Sequence, residues 1–313
     1  MIYELFLTCV GLAVLIYSAD TLVETSETIA KHFGISAMIL GLTVVAFGTS
    51  LPELVVSLQS AILDREGLAI GNVVGSNIAN TLLVLGVAAA LRPIPLKQSV
   101  LKRDGAVWIL SSILFLVACG LGMIPRLMGI FMVIALLVYV WTSFKADRAG
   151  DDAEDEEDED QDNEFGIKSV VFIIGCLVGV AAGSHLTVTH AVNVATLAGI
   201  HESIIGITLI AIGTSLPELT TTIACVRRGQ TDMLVGNIIG SNIFNILAVL
   251  GVTATFIPLT IPERMLGIDL LAFSVATLAG YFFLLTDLKM TRKEGAVSIL
   301  MYCSYISILV YIL

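Results

Sequence analysis

Charge is scarce in this chain. Of 313 residues only 14% are Asp, Glu, Lys or Arg, where a soluble domain is nearer a quarter. Cysteine pairing is absent too: Cys9, Cys119, Cys176, Cys225 and Cys303 stand singly in apolar stretches, with no CxxC. That excludes a disulfide framework and a thiolate metal site. Histidine is rare, and His32, His185, His190 and His201 lie near the ends of apolar runs without forming a motif. With neither His nor Cys clusters, Zn²⁺ and Cu are disfavoured. The roughly ten-residue alternating segments of a membrane barrel are missing. A basic start is missing from the first segment, which carries Glu4 and is matched later in the chain, so it does not read as a removable signal peptide.

What is present is apolar. Hydrophobic residues make up 57% of the chain and mean hydropathy is +0.95. Apolar runs near the ~20 residues that cross a bilayer as helix recur from end to end. The expected class is an all-α membrane protein with ten spans: 2–22, 35–62, 67–91, 105–122, 127–144, 168–188, 202–226, 233–257, 268–286 and 296–313. The net charge of −11 belongs to one stretch, Asp151–Glu164, which holds 11 acids and no base. Such a run repels itself and reads as a solvated linker. It divides the chain into a first five-helix repeat (1–145), an acidic linker (146–166) and a second five-helix repeat (167–313).

The two halves are copies. GLTVVAFGTSLPELVVS (Gly41–Ser57) aligns with GITLIAIGTSLPELTTT (Gly206–Thr222), and GNVVGSNIANTLLVLGV (Gly71–Val87) with GNIIGSNIFNILAVLGV (Gly236–Val252). Both alignments run at one constant offset, Gly41 onto Gly206 and Gly71 onto Gly236, with no gap. Five spans is an odd number, so the copies enter the membrane from opposite sides. That is an inverted repeat, which places a transport site near the midplane. Thirteen of the 16 bases fall in odd-numbered loops; Arg65, Arg126 and Arg264 fall on the other side. The positive-inside rule then puts the acidic linker in the cytoplasm and both termini outside it.

The repeated motifs carry the chemistry. Pro52 and Pro217 lack an N–H and disturb their helices near Gly48 and Gly213. Carbonyls freed at membrane depth are tolerated only against protein or a watery cavity, and they are hard ligands for Na⁺ or Ca²⁺. Counting back from Glu53, Ser50, Thr49 and Ala46 share one helical stripe. The second copy supplies Glu218, Ser215, Thr214 and Ala211. In the other motif Asn72, Ser76 and Asn80 are four apart, as are Asn237, Ser241 and Asn245. Gly71, Gly75, Gly236 and Gly240 allow close helix approach. Every donor is hard oxygen, and two Glu⁻ would neutralise one Ca²⁺ or largely balance two or three Na⁺. Ser57, Thr222, Asn72 and Asn237 read more simply as packing and local bonding residues. Asp20 reads as interfacial, ending the first span, since its counterpart is His185.

GTSLPE paired with GNxxGSNxxN, twice and inverted, resembles the alpha repeats of the cation/calcium antiporter superfamily, and within it the prokaryotic Na⁺/Ca²⁺ exchangers of a bacterial inner-membrane branch. The resemblance covers nearly all of the chain outside the acidic run. It implies an ion-binding core of spans 2, 3, 7 and 8, across which spans 1 and 6 would slide. It implies that Glu53 and Glu218 bind both ions and that Thr49 and Thr214 offer carbonyls to Ca²⁺. It implies flanking Na⁺ sites lined by the Ala46 and Ala211 carbonyls with Ser50, Ser215, Ser76 and Ser241, and a central site at Asn80 and Asn245. Three Na⁺ for one Ca²⁺, hence electrogenic exchange, is the stoichiometry implied. The second motif ends in Asn245 where the K⁺-dependent relatives carry Asp, which puts K⁺ cotransport in doubt.

A transporter rather than an enzyme is therefore expected, with no cofactor. Its partners are membrane lipid and the ions Na⁺ and Ca²⁺, with no nucleic acid and no obligate protein partner. Two alternatives stay open: a Ca²⁺ (cation)/H⁺ antiporter of the same superfamily, because carboxylates carry protons as readily as Na⁺, and an intramembrane hydrolase using the two carboxylates as a dyad. The acidic run has no counterpart inside the repeats, and its one apolar residue, Ala153, gives it almost nothing to dock. Replacing Asp151–Glu164 by a short neutral linker is expected to leave Na⁺-driven Ca²⁺ flux within a few-fold of the parent. Complete loss of flux in a folded, inserted variant would make the run part of the mechanism.

Overall fold

The computed structural model describes residues 1–150, 163–200 and 211–312. Most of the acidic run and the start of the expected seventh span, 202–210, lie outside the described residues. Apolar sequence in a bilayer can satisfy its backbone only as helix or closed barrel, and this chain takes the helical solution. The first helix is α1 (Ile2–Phe33). A bent pair follows, α2 (Ala37–Thr49) and α3 (Leu51–Ile62), then α4 (Glu66–Leu91) and α5 (Gln98–Leu121). Next come α6 (Arg126–Gly150) and α7 (Asn163–Leu197). The second half continues with α8 (Ala211–Thr214), α9 (Leu216–Arg228) and α10 (Thr231–Phe256). It ends with α11 (Ile268–Leu285) and α12 (Arg292–Ile312). Among the described residues, eight helices are long and apolar enough to cross a membrane, and the pair α2–α3, bent by 40°, makes a ninth.

Two helices outrun their expected spans. The polar residues after Leu15 do not end α1, which runs on to Phe33. Thr21, Thr25 and Thr28 each return a hydroxyl to the carbonyl four residues back, so this stretch stays helical. Asp20 therefore lies mid-helix rather than at a span end, and pairs with Arg228 at the end of α9. Gly34 stops α1 in the left-handed conformation, φ 58°, and Gly199 follows α7 with φ 79°. These two glycines are counterparts under the same offset as the motifs, so the repeat also governs where α1 and α7 end. The two helices cross closely through small residues. A methyl added at Gly183 would lie 2.6 Å from the Leu15 backbone nitrogen, and one at Gly11 would lie 2.6 Å from that of Thr187.

The motif helices form the interior, and α10 is enclosed along its whole apolar length. Among the described residues, four places carry a π turn: Gly41–Val45, Ala79–Val84, Leu101–Gly105 and Asn245–Leu250. The regular spacing of four expected through Asn80 and Asn245 therefore ends at those residues, where the helix widens. The described residues also include four two-residue strands: β1 (Ile94–Pro95), β2 (Met123–Ile124), β3 (Leu259–Thr260) and β4 (Lys289–Met290). β1 pairs antiparallel with β4, Ile94 opposite Met290, and β2 with β3, Met123 opposite Thr260. Each ladder joins a loop of one half to a loop of the other. Buried Asp104 accepts from the Tyr139 hydroxyl at 2.9 Å, and Asp269, its counterpart by the offset, accepts from Tyr305 at 3.0 Å.

Matched glycines sit in unlike surroundings. A methyl at Gly236 would meet the Met38 carbonyl and lie 2.8 Å from the Leu42 nitrogen, and one at Gly240 would lie 2.6 Å from the Leu42 carbonyl. At Gly75, the counterpart of Gly240, a methyl would meet nothing within 4 Å. Overpacking costs about 1–3 kcal/mol, while Gly→Ala in an open helical position gains up to ~1 kcal/mol. Gly240→Ala is expected to lower the melting temperature of the detergent-purified protein, and Gly75→Ala to leave it unchanged or raise it. Equal shifts would contradict this packing.

Candidate ion-binding site

Both GTSLPEL copies break at the same residue. The helix stops at Thr49, and Ser50 takes φ −88°, ψ 2° before Leu51 starts α3. Ser215 takes φ −90°, ψ 6° before α9. Proline sits second in each new helix, where its missing N–H costs nothing to its own helix. The break thus falls two residues beyond the glycines named from sequence. It places Glu53 and Glu218 in the first turns of α3 and α9, where the helix dipole favours negative charge.

The two carboxylates are fully buried and approached by hydroxyls. Ser50 donates to Glu218 Oε1 at 3.3 Å, and Ser76 donates to Glu53 Oε1 at 3.3 Å. Ser76 and Thr214 hydroxyls stand 3.3 Å apart, and their counterparts Ser241 and Thr49 stand 3.5 Å apart. These are long for hydroxyl bonds, whose usual range ends near ~3.0 Å, so the oxygens are neighbours only loosely committed to one another. The Ala46 carbonyl accepts from the Thr49 hydroxyl at 3.3 Å and from the Ser50 N–H at 3.0 Å. Ala211 opens the short turn α8.

Several buried atoms here have no hydrogen-bond partner: Glu53 Oε2, Glu218 Oε2, Ser215 Oγ, Asn245 Oδ1 and both polar atoms of Asn80. Buried polar groups are normally satisfied, and such a concentration marks a place built for a guest. Among the described residues no ion pair reaches Glu53 or Glu218, and no cluster of three or more His, Cys, Asp and Glu could hold a metal ion. The donor set is two carboxylates with hydroxyls, amides and carbonyls, which is suited to Na⁺ and Ca²⁺.

Three residues escape a reading by spacing alone: Asn77, Asn242 and Thr81. Asn77 accepts from Asn245 Nδ2 at 3.3 Å, and Asn242 accepts from the Thr81 hydroxyl at 3.3 Å. The first bond commits the Asn245 amide nitrogen and leaves its carbonyl oxygen unpartnered. Asn77 and Asn242 are visible in the sequence as the middle Asn of each GNxxGSNxxN, matched by the repeat offset. Of the four residues read as packing, Asn72 and Ser57 bond locally, Asn72 Nδ2 donating to Ser57 Oγ at 3.0 Å and to the Glu53 carbonyl at 3.1 Å, whereas Asn237 accepts from the Thr49 hydroxyl at 3.4 Å and Thr222 Oγ1 has no partner.

A cavity of about 1100 Å³ leads from Asp64 and Glu66 down to Asn72, Ser76 and Thr214. Its wall includes Val56, Ser60 and Asp269. The counterparts of these inner and wall positions in the other copy are Asn237, Ser241, Thr49, Thr221, Cys225 and Asp104. All six are fully buried. Among the described residues, the site is therefore reached from one side, between 56–76 and 260–269, while these counterpart positions on the other side are buried.

Comparison with known proteins agrees with this arrangement. The family model for sodium/calcium exchanger protein matches residues 3–145 and 168–311. Inner membrane protein YrbG of Escherichia coli is 38% identical over 301 residues, covering 94% of this chain and 92% of that protein. Sodium/calcium exchanger MaX1 of Methanosarcina acetivorans is 33% identical over 340 residues, covering 96% and 97%. A solved structure of the sodium-calcium exchanger NCX_Mj, soaked with Na⁺ and Ca²⁺, superposes with TM-score 0.83 at 32% identity, covering 98% of each chain. The chain is a multi-pass membrane protein with an all-helical transporter fold, and it belongs to the sodium/calcium exchanger protein family.

Proposed function

We propose that this protein is a secondary active transporter that exchanges Na⁺ for Ca²⁺ by alternating access, and that the exchange is electrogenic. The observation that carries the reading is the buried pair Glu53 and Glu218, each with one unpartnered oxygen, with Ser76, the hydroxyl partner of Glu53, lining the inner end of the cavity. Ca²⁺ binds where both carboxylates reach it, with the Thr49 and Thr214 carbonyls. Na⁺ takes flanking positions formed by Ser50, Ser76, Ser215 and Ser241 with the Ala46 and Ala211 carbonyls, and Asn80 and Asn245 complete the centre. One Ca²⁺ neutralises the pair; three Na⁺ leave one positive charge over, and this difference makes the cycle electrogenic.

The chain crosses the membrane ten times, as two inverted five-helix repeats, 1–145 and 167–313, joined by the acidic linker 146–166. Support comes from features that recur in both halves: the breaks at Ser50 and Ser215, the Asp–Tyr pairs and the two strand ladders. The 13 bases of the odd-numbered loops place the linker in the cytoplasm and both termini outside, in a bacterial inner or archaeal cell membrane. The large cavity then opens away from the cytoplasm.

The test is radiolabelled Ca²⁺ uptake into proteoliposomes under an imposed Na⁺ gradient, beside an imposed pH gradient. Uptake driven by Na⁺ alone supports the proposal, and uptake driven by the pH gradient alone would replace it with proton exchange. Gln keeps the size and one acceptor but not the charge, and a neutral cage compensates Ca²⁺ dehydration poorly. Glu53→Gln and Glu218→Gln are each expected to abolish uptake while the protein stays folded. Retention of more than about a tenth of uptake, a loss of only ~1.4 kcal/mol, would remove these residues from the centre. Because Asn245 is neutral, exchange is also expected to be unchanged when K⁺ on both sides is replaced by choline; a several-fold fall would reject K⁺ independence.

A further inference from the structure

Pro217 has no N–H to give the carbonyl four residues back, and that carbonyl belongs to Gly213. The Ser184 hydroxyl on α7 donates to it at 3.1 Å. Ser184 is buried, so this is a helix-to-helix bond inside the protein. α7 also packs Val188 against Gly213 and, further back along the same helix, Leu177 against Gly48. One helix thus lies across both broken motifs, presenting a hydroxyl near one and an apolar side chain at the other.

The repeat says what the opposite conformation looks like. If the halves exchange roles, every contact recurs between the counterpart residues of the other copy. The contact of Ser184 with Gly213 becomes one of Ala19 with Gly48. Ala19, buried on α1, has no hydroxyl. The carbonyl freed by Pro52 gains no bond from α1, and Gly213 loses the one it has. We propose that Ser184 is a positioning residue for transport: it fastens α7 to the second broken motif in the conformation seen here, and no equivalent bond forms when the open and closed routes exchange. A second contact has the same asymmetry. Arg228 holds Asp20 at 2.6 Å and Glu24 at 2.8 Å, whereas the counterpart residues are Leu63, His185 and Thr189, which form no such cluster of opposite charges.

The inference rests on alternating access but not on which ion is carried, and the chain holds its own reporter. Cys225, fully buried here, is the counterpart of Ser60 on the cavity wall and would line the opposite cavity after the exchange. The experiment is alkylation of Cys225 by a water-soluble maleimide, followed by mass spectrometry, on the full chain in nanodiscs where both faces are reachable. Ser184→Ala is expected to raise the rate about fivefold, the worth of roughly one net hydrogen bond. Ala19→Ser, which supplies the missing donor, is expected to raise it as well, and the double variant further still. Ser184→Thr, which keeps the hydroxyl, should behave as the parent. Unchanged rates in both Ser184→Ala and Ala19→Ser, or a Thr variant that behaves like the Ala variant, would overturn the proposal. If maleimide rates respond as expected while Na⁺ drives no Ca²⁺ uptake, the cargo is wrong and the positioning role stands; the reverse result removes Ser184 alone.

Discussion

Two carboxylates sit wholly inside a membrane protein with no ion pair reaching them among the described residues, and the rest of the arrangement depends on that. An unpaired buried charge costs several kcal/mol even after the surroundings relax. Such acids persist in membranes where they serve an ion path. Each design feature lessens the penalty without cancelling it. The helix breaks aim two helix N-termini at the acids, Ser50 and Ser76 each give one hydroxyl, and one oxygen of each carboxylate is left uncommitted. A fixed Lys or Arg would have satisfied the pair permanently and left no reason to take up a cation. Leaving the charge incompletely compensated ties the stability of the core to its passengers.

The repeat supplies identical letters, but the fold gives them unlike environments. Ser50 reaches Glu218, while its twin Ser215 has a hydroxyl without a partner. Gly75 faces open space, while Gly240 is pressed against Leu42. Asn72 borders the cavity, while Asn237 is sealed. A structure with two equal halves could not be open on one side and closed on the other at once. On the alternating access proposed above, the inequality between copies is the conformational state, written in burial. Ser184 and Arg228 differ from these pairs because their inequality is in the sequence, so it persists whichever route is open.

The parts of this legible in sequence are those set by chain chemistry. Proline forces a break, Glu in an apolar run demands a purpose, and two long motifs recurring at one ungapped offset demand two related halves. The parts that were not legible arise from contacts between distant segments. Asp20 reads from sequence as interfacial because its counterpart is His185; it is tolerated mid-helix because Arg228, far along the chain, meets it. The π turns at Asn80 and Asn245 leave no mark in a spacing of four. Asn77 was inside the quoted motif but carried no sign of its bond to Asn245, which depends on how the two helices face each other. The strand ladders are two residues long, too short for any periodicity to announce.

Those ladders bear on which parts can move. One ties the loop after α4 to the loop before α12, and the other ties the loop after α5 to the loop after α10. The Asp104–Tyr139 bond fastens α5 to α6, and Asp269–Tyr305 fastens α11 to α12. With Asn72 bonding α4 to α3, Ser50 reaching Glu218 on α9, and Gly236 and Gly240 of α10 seated against Met38 and Leu42 of α2, helices α2 to α6 and α9 to α12 are stitched across both halves. By contrast α1 and α7 pack most closely on each other, through Gly11, Gly179 and Gly183. An apolar cleft of about 480 Å³ lies between Val170–Ala181 of α7 and Leu40, Val44 and Phe47, bridged where Leu177 meets Gly48. Across the remaining boundary, α1 and α7 hold the stitched part by a few polar contacts, the Arg228 cluster and the Ser184 bond among them. Packed interiors transmit strain and switch between discrete arrangements, rather than deforming smoothly. A change of access is then least costly as a shift of the α1–α7 pair over the stitched helices, breaking two or three polar contacts and leaving the ladders whole.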